Sequence, residues 1–147
     1  MALSFEGAYQ VNAPREKIWD FIIDPNKIGK CLPDLRSLEA GADNKFTAIA
    51  RVGVGLMKGD FKFQFAVVEQ QPPTHARLKG NGTGLGSSVN MDVVIDLAQG
   101  DAGTKLTYKA DVQIAGTIAS LGQRIIGGTA EKTIAAVFNC IKKQLET

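Results

Sequence analysis

The sequence predicts an α+β fold in which a curved antiparallel sheet of seven strands wraps around one long C-terminal helix, with two short helices after the first strand. Apolar and polar residues alternate through most of the chain, and turn-forming residues separate the alternating stretches. The hydrophobic period becomes helical only near the C-terminus. Since 147 residues suffice for one substantial core, we expect a single domain over 1–147.

The chain opens with a predicted strand at residues 3–11, where aromatic and aliphatic residues recur at every second position. The next stretch, "NAPREKIWDFI", predicts a helix, because Asn12 can cap its start and Pro14 suits its first turn. This helix is expected to end before Pro25, since the residue preceding a proline is disfavoured in the α region. A second short helix is predicted at about 26–31, before Pro33.

Six further strands are predicted at about 35–40, 45–54, 59–69, 74–81, 86–97 and 104–113. Their connections are short and rich in glycine, proline, asparagine and aspartate, so neighbouring strands run antiparallel. In "FKFQF" the three phenylalanines fall on one face of a strand.

The C-terminal helix is predicted over about 118–145, with an apolar stripe that includes Ile134, Phe138 and Ile141. Gly127-Gly128 interrupts the pattern and marks a kink, a break or the close approach of a neighbour. Six small residues near the start of this segment predict an unfilled apolar space between helix and sheet: Ala115, Gly116, Ala119, Gly122, Gly127 and Gly128.

Charge and composition exclude several partners. The net charge of +2 is small and the lysines are scattered, so nucleic acid is not the expected partner. The N-terminus lacks the basic and apolar regions of a signal peptide, which predicts a cytoplasmic protein. Cys31 and Cys140 are far apart in sequence and are expected to be separate reduced thiols, with a disulfide between them as the less favoured alternative.

The stretch "KGNGTGLGSSV" raises the question of phosphate binding, because glycine occupies every second position from Gly80 to Gly86. A dinucleotide fingerprint would need a third glycine at position 85 or 87, and these positions hold Leu85 and Ser87. The following residues alternate as a strand, so no helix N-terminus faces a phosphate. The glycines therefore indicate a hairpin or bulged corner, or else a flexible lip where a ligand enters beside Leu85.

Residues suited to catalysis or metal binding are scarce, and we expect no enzyme activity, no cofactor and no metal site. His75 is the single histidine and is predicted to lie exposed at a turn rather than to act as a catalyst or metal ligand. Cys31 has no histidine near it in sequence, and no G-x-S-x-G motif is present. Two cysteines and one histidine do not make a four-ligand zinc centre.

Two segments of the sequence carry a family resemblance that covers essentially the whole chain. "GTKLTYKADVQIAGTIASLGQRII" and "FEGAYQVNAPREKIWDFIIDPNKIGKCLPDL" are similar to segments of the CoxG-type family of carbon monoxide dehydrogenase subunits. The order of elements resembles the helix-grip arrangement of the START-like (SRPBCC) superfamily. This resemblance implies an accessory, ligand-binding protein that serves a molybdenum hydroxylase of the carbon monoxide dehydrogenase class.

The expected ligand is a lipophilic small molecule, lipid- or quinone-like, held in an internal cavity. The alternatives are an interaction or maturation subunit with a filled core, and a small cyclase- or hydrolase-like enzyme. We predict that ten residues contact the ligand: Trp19, Met57, Phe61, Phe63, Phe65, Leu85, Met91, Tyr108, Leu121 and Ile125. Tyr108 is interpreted equally well as a polar group in the cavity or as a core tyrosine, and Trp19 fits a core role better than a ligand contact.

The segment "RVGVGLMKG", Arg51 to Gly59, is predicted to be a hairpin with Leu56 and Met57 exposed at its tip. It is interpreted either as a plain hairpin tip or as a point of transient contact with a membrane or a partner enzyme. The sequence does not predict an oligomeric state.

Overall fold

The structure, a computed structural model, describes residues 1–146. Its strands are β1 (Ala2–Val11), β2 (Leu35–Ala40), β3 (Lys45–Val54), β4 (Met57–Gln71), β5 (His75–Gly84), β6 (Ser87–Gly100) and β7 (Gly103–Gly116). Its α-helices are α1 (Arg15–Ile23), α2 (Pro25–Ile28) and α3 (Gln123–Leu145). Short 3₁₀ turns, Gly29–Cys31 and Thr117–Leu121, follow α2 and precede α3. The predicted fold class is confirmed.

The seven strands form one antiparallel sheet in the order β1-β7-β6-β5-β4-β3-β2. Every pair of neighbours from β2 to β7 is a hairpin, and β1 joins the far edge by pairing along its whole length with β7. Strands β4 to β7 extend past their predicted ends because the pairing continues almost into each turn. The alternation that predicted the strands places one side-chain set on the face beneath α3.

The helices α1 and α2 cover one end of the sheet. Asp24 caps α2 by accepting a hydrogen bond from the Asn26 backbone N–H at 2.9 Å. At the other end of the chain, the backbone N–H of Asn12 donates to Glu146 Oε2 at 2.8 Å, and Lys17 Nζ donates to the Leu145 carbonyl at 3.1 Å. These bonds fix the C-terminal end of α3 against the start of α1.

The expectation of two separate thiols is wrong, because Cys31 and Cys140 form a disulfide with their Cα atoms 5.4 Å apart. The bond joins the 3₁₀ turn after α2 to the second half of α3. Helical packing brings together two cysteines separated by 109 residues, which sequence spacing does not reveal.

The helix α3 is continuous from Gln123 to Leu145, so Gly127-Gly128 does not break it. A methyl group at either glycine would meet no neighbouring atom of residues 1–146 within 4 Å, which also excludes the close approach of another element there. The segment before Gln123, predicted to be part of the helix, forms the separate 3₁₀ turn, and Gly122, at φ 88°, lies between the two.

Buried apolar side chains form two separate clusters. The first, called here the inner cluster, lies beneath α1 and the second half of α3 and includes Ile18, Trp19, Leu106, Phe138 and Ile141. The second, called here the outer cluster, consists of Val54, Phe61, Ile114, Ile118 and Ile126. The space between sheet and helix that separates them is the candidate ligand-binding cavity.

Candidate ligand-binding cavity

A cavity of about 370 Å³ lies between the inner face of the sheet and α3. Its walls include Tyr108, Ile95 and Phe138 beside the inner cluster, and Phe61 and Ile118 in the outer cluster. The helix contributes one more set of side chains to the wall: Ile126, Thr129, Ala130, Thr133 and Ile134. The cavity therefore interrupts the hydrophobic core along the length of the helix.

Small side chains on α3 leave this space open. Thr129, Ala130 and Thr133 face the cavity across from longer strand residues, and they are too short to fill it. The sequence prediction of a cavity depends on six other small residues, from Ala115 to Gly128, and none of those six lines it. The structure thus contains a cavity where one was predicted, but the small residues that leave it open lie further along the helix.

Phenylalanines of β4 form a flat part of the sheet wall, and the glycine run of β5 lies directly beneath them. Phe63 pairs with Gly82, and Phe65 pairs with Gly80. A methyl group at Gly82 would lie 2.6 Å from Cδ1 and Cε1 of Phe63, and one at Gly80 would lie 2.6 Å from Cε1 of Phe65. Since real methyl carbons do not approach so closely, the glycines let the rings lie flat on the strand.

This arrangement corrects the interpretation of the glycine run. Gly80 and Gly82 lie inside β5 rather than at a corner, and only Leu85 and Gly86, at φ 52° and 65°, form a turn. Positive φ at both central residues is typical of the tightest hairpin connections. The side chain of Leu85 lies against Gly59 of the neighbouring hairpin, where a Cβ would overlap it.

Tyr108 brings a phenol group to the cavity wall. Its ring lies over Gly7 and stacks on Phe138, with the ring centroids 5.2 Å apart. Burial, followed by the nearby Tyr9 and Glu131, raises the pKa of Tyr108, so the hydroxyl keeps its proton at neutral pH. No hydrogen bond within residues 1–146 contributes to this shift, and Tyr108 is a lining residue of the cavity.

The other polar groups in the wall are already engaged. Thr129 Oγ1 donates to the Ile125 carbonyl at 3.1 Å, and Thr133 Oγ1 donates to the Thr129 carbonyl at 3.0 Å. Both bonds stay within α3, as threonines in helices often form. The side chains that line the cavity are therefore apolar apart from Tyr108, Thr129 and Thr133.

The structure places four of the ten predicted contact residues in the cavity wall: Phe61, Phe63, Met91 and Tyr108. Met57, Leu85 and Leu121 pack against the outer cluster without lining the cavity. Trp19 belongs to the inner cluster, and Phe65 stacks on Phe46 with centroids 5.0 Å apart. Ile125 is 44% exposed, so it lies at the surface beside the cavity end.

The helix side of the wall is absent from the sequence prediction. Its residues continue the apolar stripe of Ile134 and Phe138 backward by four and eight positions, to Ala130 and Ile126. The helical period of about 3.6 residues therefore identifies which positions of α3 face the cavity. Ile125 and Leu121 are large apolar residues near the helix start, but Ile125 lies one position, or about 100°, away from the inward stripe.

A larger concavity of about 620 Å³ on the sheet has a different character. Its wall mixes polar and charged side chains with apolar ones: Gln64, Asn81, Asn90, Lys45, Lys79, Phe46, Phe65 and Met91. Amide and ammonium groups favour water over an apolar molecule. The cavity beneath α3 is therefore the better candidate for a lipophilic ligand.

His75 lies at the start of β5 between two carboxylates. Its Nδ1 is 2.7 Å from Asp96 Oδ1 and its Nε2 is 3.2 Å from Glu69 Oε2. The hydrogen bond to Asp96 and then the one to Glu69 raise the pKa of His75. His75 is the first residue of β5, directly after the predicted turn, and it is partly exposed. Strand pairing adds a feature that the sequence does not predict, because it brings His75 next to two carboxylates, and His75 does not line the cavity.

Residues 1–146 hold no group of three or more histidine, cysteine, aspartate or glutamate side chains arranged to bind a metal ion. Within the same range, no helix combines the length and apolarity needed to cross a bilayer. The hairpin of β3 and β4 exposes Leu56 completely at its tip, whereas Met57, predicted to be exposed with it, is half-buried against the outer cluster.

A curved seven-stranded sheet, a long C-terminal helix and an apolar cavity between them define a helix-grip protein of the START-like (SRPBCC) class. Within that class, residues 7–146 match the family model of CoxG, a subunit of carbon monoxide dehydrogenase. The chain belongs to this family.

Solved structures agree with this assignment. The chain is similar to a conserved protein from Geobacillus kaustophilus, with 34% identity, a TM-score of 0.89, and coverage of 97% of this chain and 94% of that one. The Zhui aromatase/cyclase from Streptomyces sp. R1128 shares the fold at 14% identity and a TM-score of 0.74, with 99% and 94% covered. Ara h 8.0201 also shares the fold, with 14% identity, a TM-score of 0.71, and coverage of 98% of this chain and 97% of that one. Comparison with curated proteins gives no match.

Proposed function

We propose that this protein binds a lipophilic small molecule, lipid- or quinone-like, in the cavity between the sheet and α3. In this role it would be an accessory protein of a molybdenum hydroxylase of the carbon monoxide dehydrogenase class. The observation that carries the proposal is a cavity of about 370 Å³ whose wall is apolar apart from Tyr108 and two threonines. Pockets for small ligands begin at roughly 300 Å³. Family membership supports the choice of partner.

Burial of apolar surface supplies the affinity. A ligand that hides roughly 300 Å² of apolar surface gains about 7 kcal/mol, before the costs of ordering the ligand and the protein. Within residues 1–146, no charged group lies in the wall to oppose an uncharged molecule. The hydroxyl of Tyr108 favours a ligand with one hydrogen-bond-accepting oxygen at the end of the cavity beside the inner cluster.

Two other functions account for the cavity less well. An enzyme acting inside it would need an acid or base in the wall, and the described lining residues include no carboxylate and no imidazole. The aromatase/cyclases share only the fold at their low identity. A pure interaction subunit would need no internal space, so the cavity itself favours ligand binding.

The surroundings of the cavity suggest where contact with a membrane or partner takes place. Leu56 and Ile125 are exposed at the same end of the molecule, since a methyl group at Gly55 would lie 3.7 Å from Ile125. Cytoplasmic localisation remains a prediction. The Cys31–Cys140 disulfide weighs against a strongly reducing compartment, so thiol trapping in intact cells tests the localisation.

Native mass spectrometry of the purified protein, with solvent extraction, tests the central proposal by detecting a co-purifying apolar molecule. The matched variants are Ala130→Leu, which fills the cavity, and Ala136→Leu, which makes the same change on the exposed face of α3. We expect Ala130→Leu to weaken binding of the uncharged probe N-phenyl-1-naphthylamine by about 10-fold or more, because it occupies the ligand's space. Ala136→Leu should bind normally.

The variant Tyr108→Phe tests, in the same binding experiment, whether the tyrosine hydroxyl contributes a hydrogen bond to the ligand. Loss of one hydrogen bond, about 1 kcal/mol, should weaken a ligand with an acceptor oxygen roughly 5-fold and leave a hydrocarbon unaffected. Protein that contains no extractable molecule and also fails to bind any apolar probe would refute the proposed function. Equal loss of binding in Ala130→Leu and Ala136→Leu would place the ligand elsewhere.

A further inference from the structure

We propose that the first part of α3, Gln123–Gly128, is a gate that opens the cavity by bending at Gly127-Gly128. The second half of the helix stays fixed. This inference rests on the proposed function, because a gate has a role only if a molecule enters the cavity. The evidence is a difference in how the two ends of one helix are held.

The C-terminal half of α3 is held by many contacts. Phe138, Ile141 and Leu145 are buried in the inner cluster, and Cys140 is joined to Cys31. The hydrogen bond from Lys17 to the Leu145 carbonyl adds a further tie. The disulfide restrains this half of the helix, and movement away from the sheet would expose part of the core.

The first six residues of α3, Gln123–Gly128, have few such contacts. Ile126 is the one residue of Gln123–Gly128 that is buried, and its neighbour Ile125 is 44% exposed. Within the described chain no side chain caps the helix at Gly122, whose φ of 88° separates α3 from the preceding 3₁₀ turn. Gly122 therefore supplies a joint on the other side of the gate.

Gly127 and Gly128 are the fifth and sixth of the 23 residues of α3, about 15 Å before Phe138 along the helix. Alanine would fit at both positions, since no neighbouring atom among residues 1–146 lies within 4 Å of a methyl group there. Packing thus gives no reason for glycine, although each glycine disfavours the helix relative to alanine. Glycine pairs are common at helix kinks, and small residues are frequent at hinges.

Movement of the gate would open the cavity at the end where it meets the surface. Ile126 lines the cavity, and Ile125 with Leu121 lies beside the Gly55–Leu56 turn. Swinging Gln123–Gly128 away from this turn would carry Ile126 out of the wall. The opening would lie between α3 and the β3–β4 hairpin.

The test is stopped-flow binding of N-phenyl-1-naphthylamine to the full chain and to Gly127→Ala/Gly128→Ala. We expect the double variant to slow both association and dissociation by about 10-fold while the Kd changes less than about 2-fold, because only the opening is hindered. Asn139→Ala is the matched control, since it also raises helix propensity, at an exposed position in the fixed half. It should leave both rates unchanged.

Hydrogen exchange of the unliganded protein provides a readout that needs no ligand. Amides 125–130 should exchange at least about 10-fold faster than amides 134–145, and the double variant should slow them selectively. Normal probe binding with unchanged rates, or equal slowing in Asn139→Ala, would overturn the gate and leave the proposed function standing. Wild-type protein that binds no probe would overturn the proposed function and the gate with it.

Discussion

Phe63 and Gly82 face each other across β4 and β5, and their fit sets how far the aromatic wall stands from α3. Phe65 and Gly80 make the same contact one pair along, outside the cavity lining. Both pairs place a phenylalanine ring over a glycine, but only Phe63 lines the cavity. Comparing substitutions at Gly80 and Gly82 therefore distinguishes an effect on stability from an effect on the shape of the cavity.

We expect Gly82→Ala and Gly80→Ala each to destabilise the fold by about 1–3 kcal/mol, because a methyl group displaces an aromatic ring. Gly82→Ala alone should also weaken the binding of N-phenyl-1-naphthylamine, since the displaced Phe63 ring moves into the cavity. Urea unfolding and probe titration measure the two effects. Equal loss of affinity in both variants would contradict the assignment of Phe63 to the wall and Phe65 to the region beyond it.

His75 gives the stability of the fold a pH dependence. Its pKa is raised in the folded protein by Asp96 and Glu69, while Arg77 lies close by and is paired with Asp92 and Glu69. A raised pKa means that the folded state binds the proton more tightly than the unfolded chain. The stabilisation is therefore complete below about pH 6.5 and is lost as the pH rises through the folded pKa.

We expect the Tm of wild-type protein to exceed that of His75→Gln by about 2 °C near pH 5.5, and the difference to shrink towards pH 8.5. Thermal unfolding monitored by circular dichroism at several pH values between these limits measures it. A Tm difference that stays constant, or grows with pH, would contradict the raised pKa.

At the scale of elements, alternation predicted the strands because one face of each is buried. The alternate positions of β1 and β4 are the ones that pack beneath α3. Strand ends were predicted less well, since β4 and β6 continue through polar residues that only pairing with a neighbour holds in place. The local sequence pattern indicates which face of a strand is buried, whereas the register and length of the strand depend on the strand beside it.

In α3, too, the sequence pattern predicted one part of the inward face and missed another. The apolar stripe from Ile134 onward was predicted, because it packs on a dense cluster. Towards the cavity the stripe weakens into Thr129, Ala130 and Thr133, and hydrophobicity no longer marks the inward face. A cavity is lined on this side by residues too small to fill it. Its helix wall is therefore harder to predict from sequence than a filled core.

Ser87 connects two elements at the surface end of the cavity. Its hydroxyl accepts a hydrogen bond from the Ile118 backbone N–H at 2.8 Å and donates to the Leu85 carbonyl at 3.3 Å. The 3₁₀ turn that precedes α3 is thereby attached to the β5–β6 hairpin. Movement of the proposed gate can start after this turn, at Gly122, without detaching Ile118 from the sheet.

At the scale of the whole molecule, one covalent bond ties the helix that covers the cavity to the segment between the first two strands. Cys31 and Cys140 enclose a sequence separation of 109 residues. Closing so long a loop removes much of the conformational entropy of the unfolded chain, by about 4–5 kcal/mol in the chain-entropy model. Measured values are typically about 2–4 kcal/mol.

We therefore expect Cys31→Ala/Cys140→Ala to lower the free energy of unfolding by about 2–4 kcal/mol, measured by guanidinium titration. Adding a reductant should lower the stability of wild-type protein by a similar amount and leave the double variant unchanged, which controls for the loss of the two sulfur atoms. If the disulfide also keeps the second half of α3 fixed, reduction should speed hydrogen exchange of amides 134–145 more than that of amides 125–130, because the bond is attached to the second half. Free thiols in the untreated protein, detected by alkylation and intact mass, would contradict the bond itself.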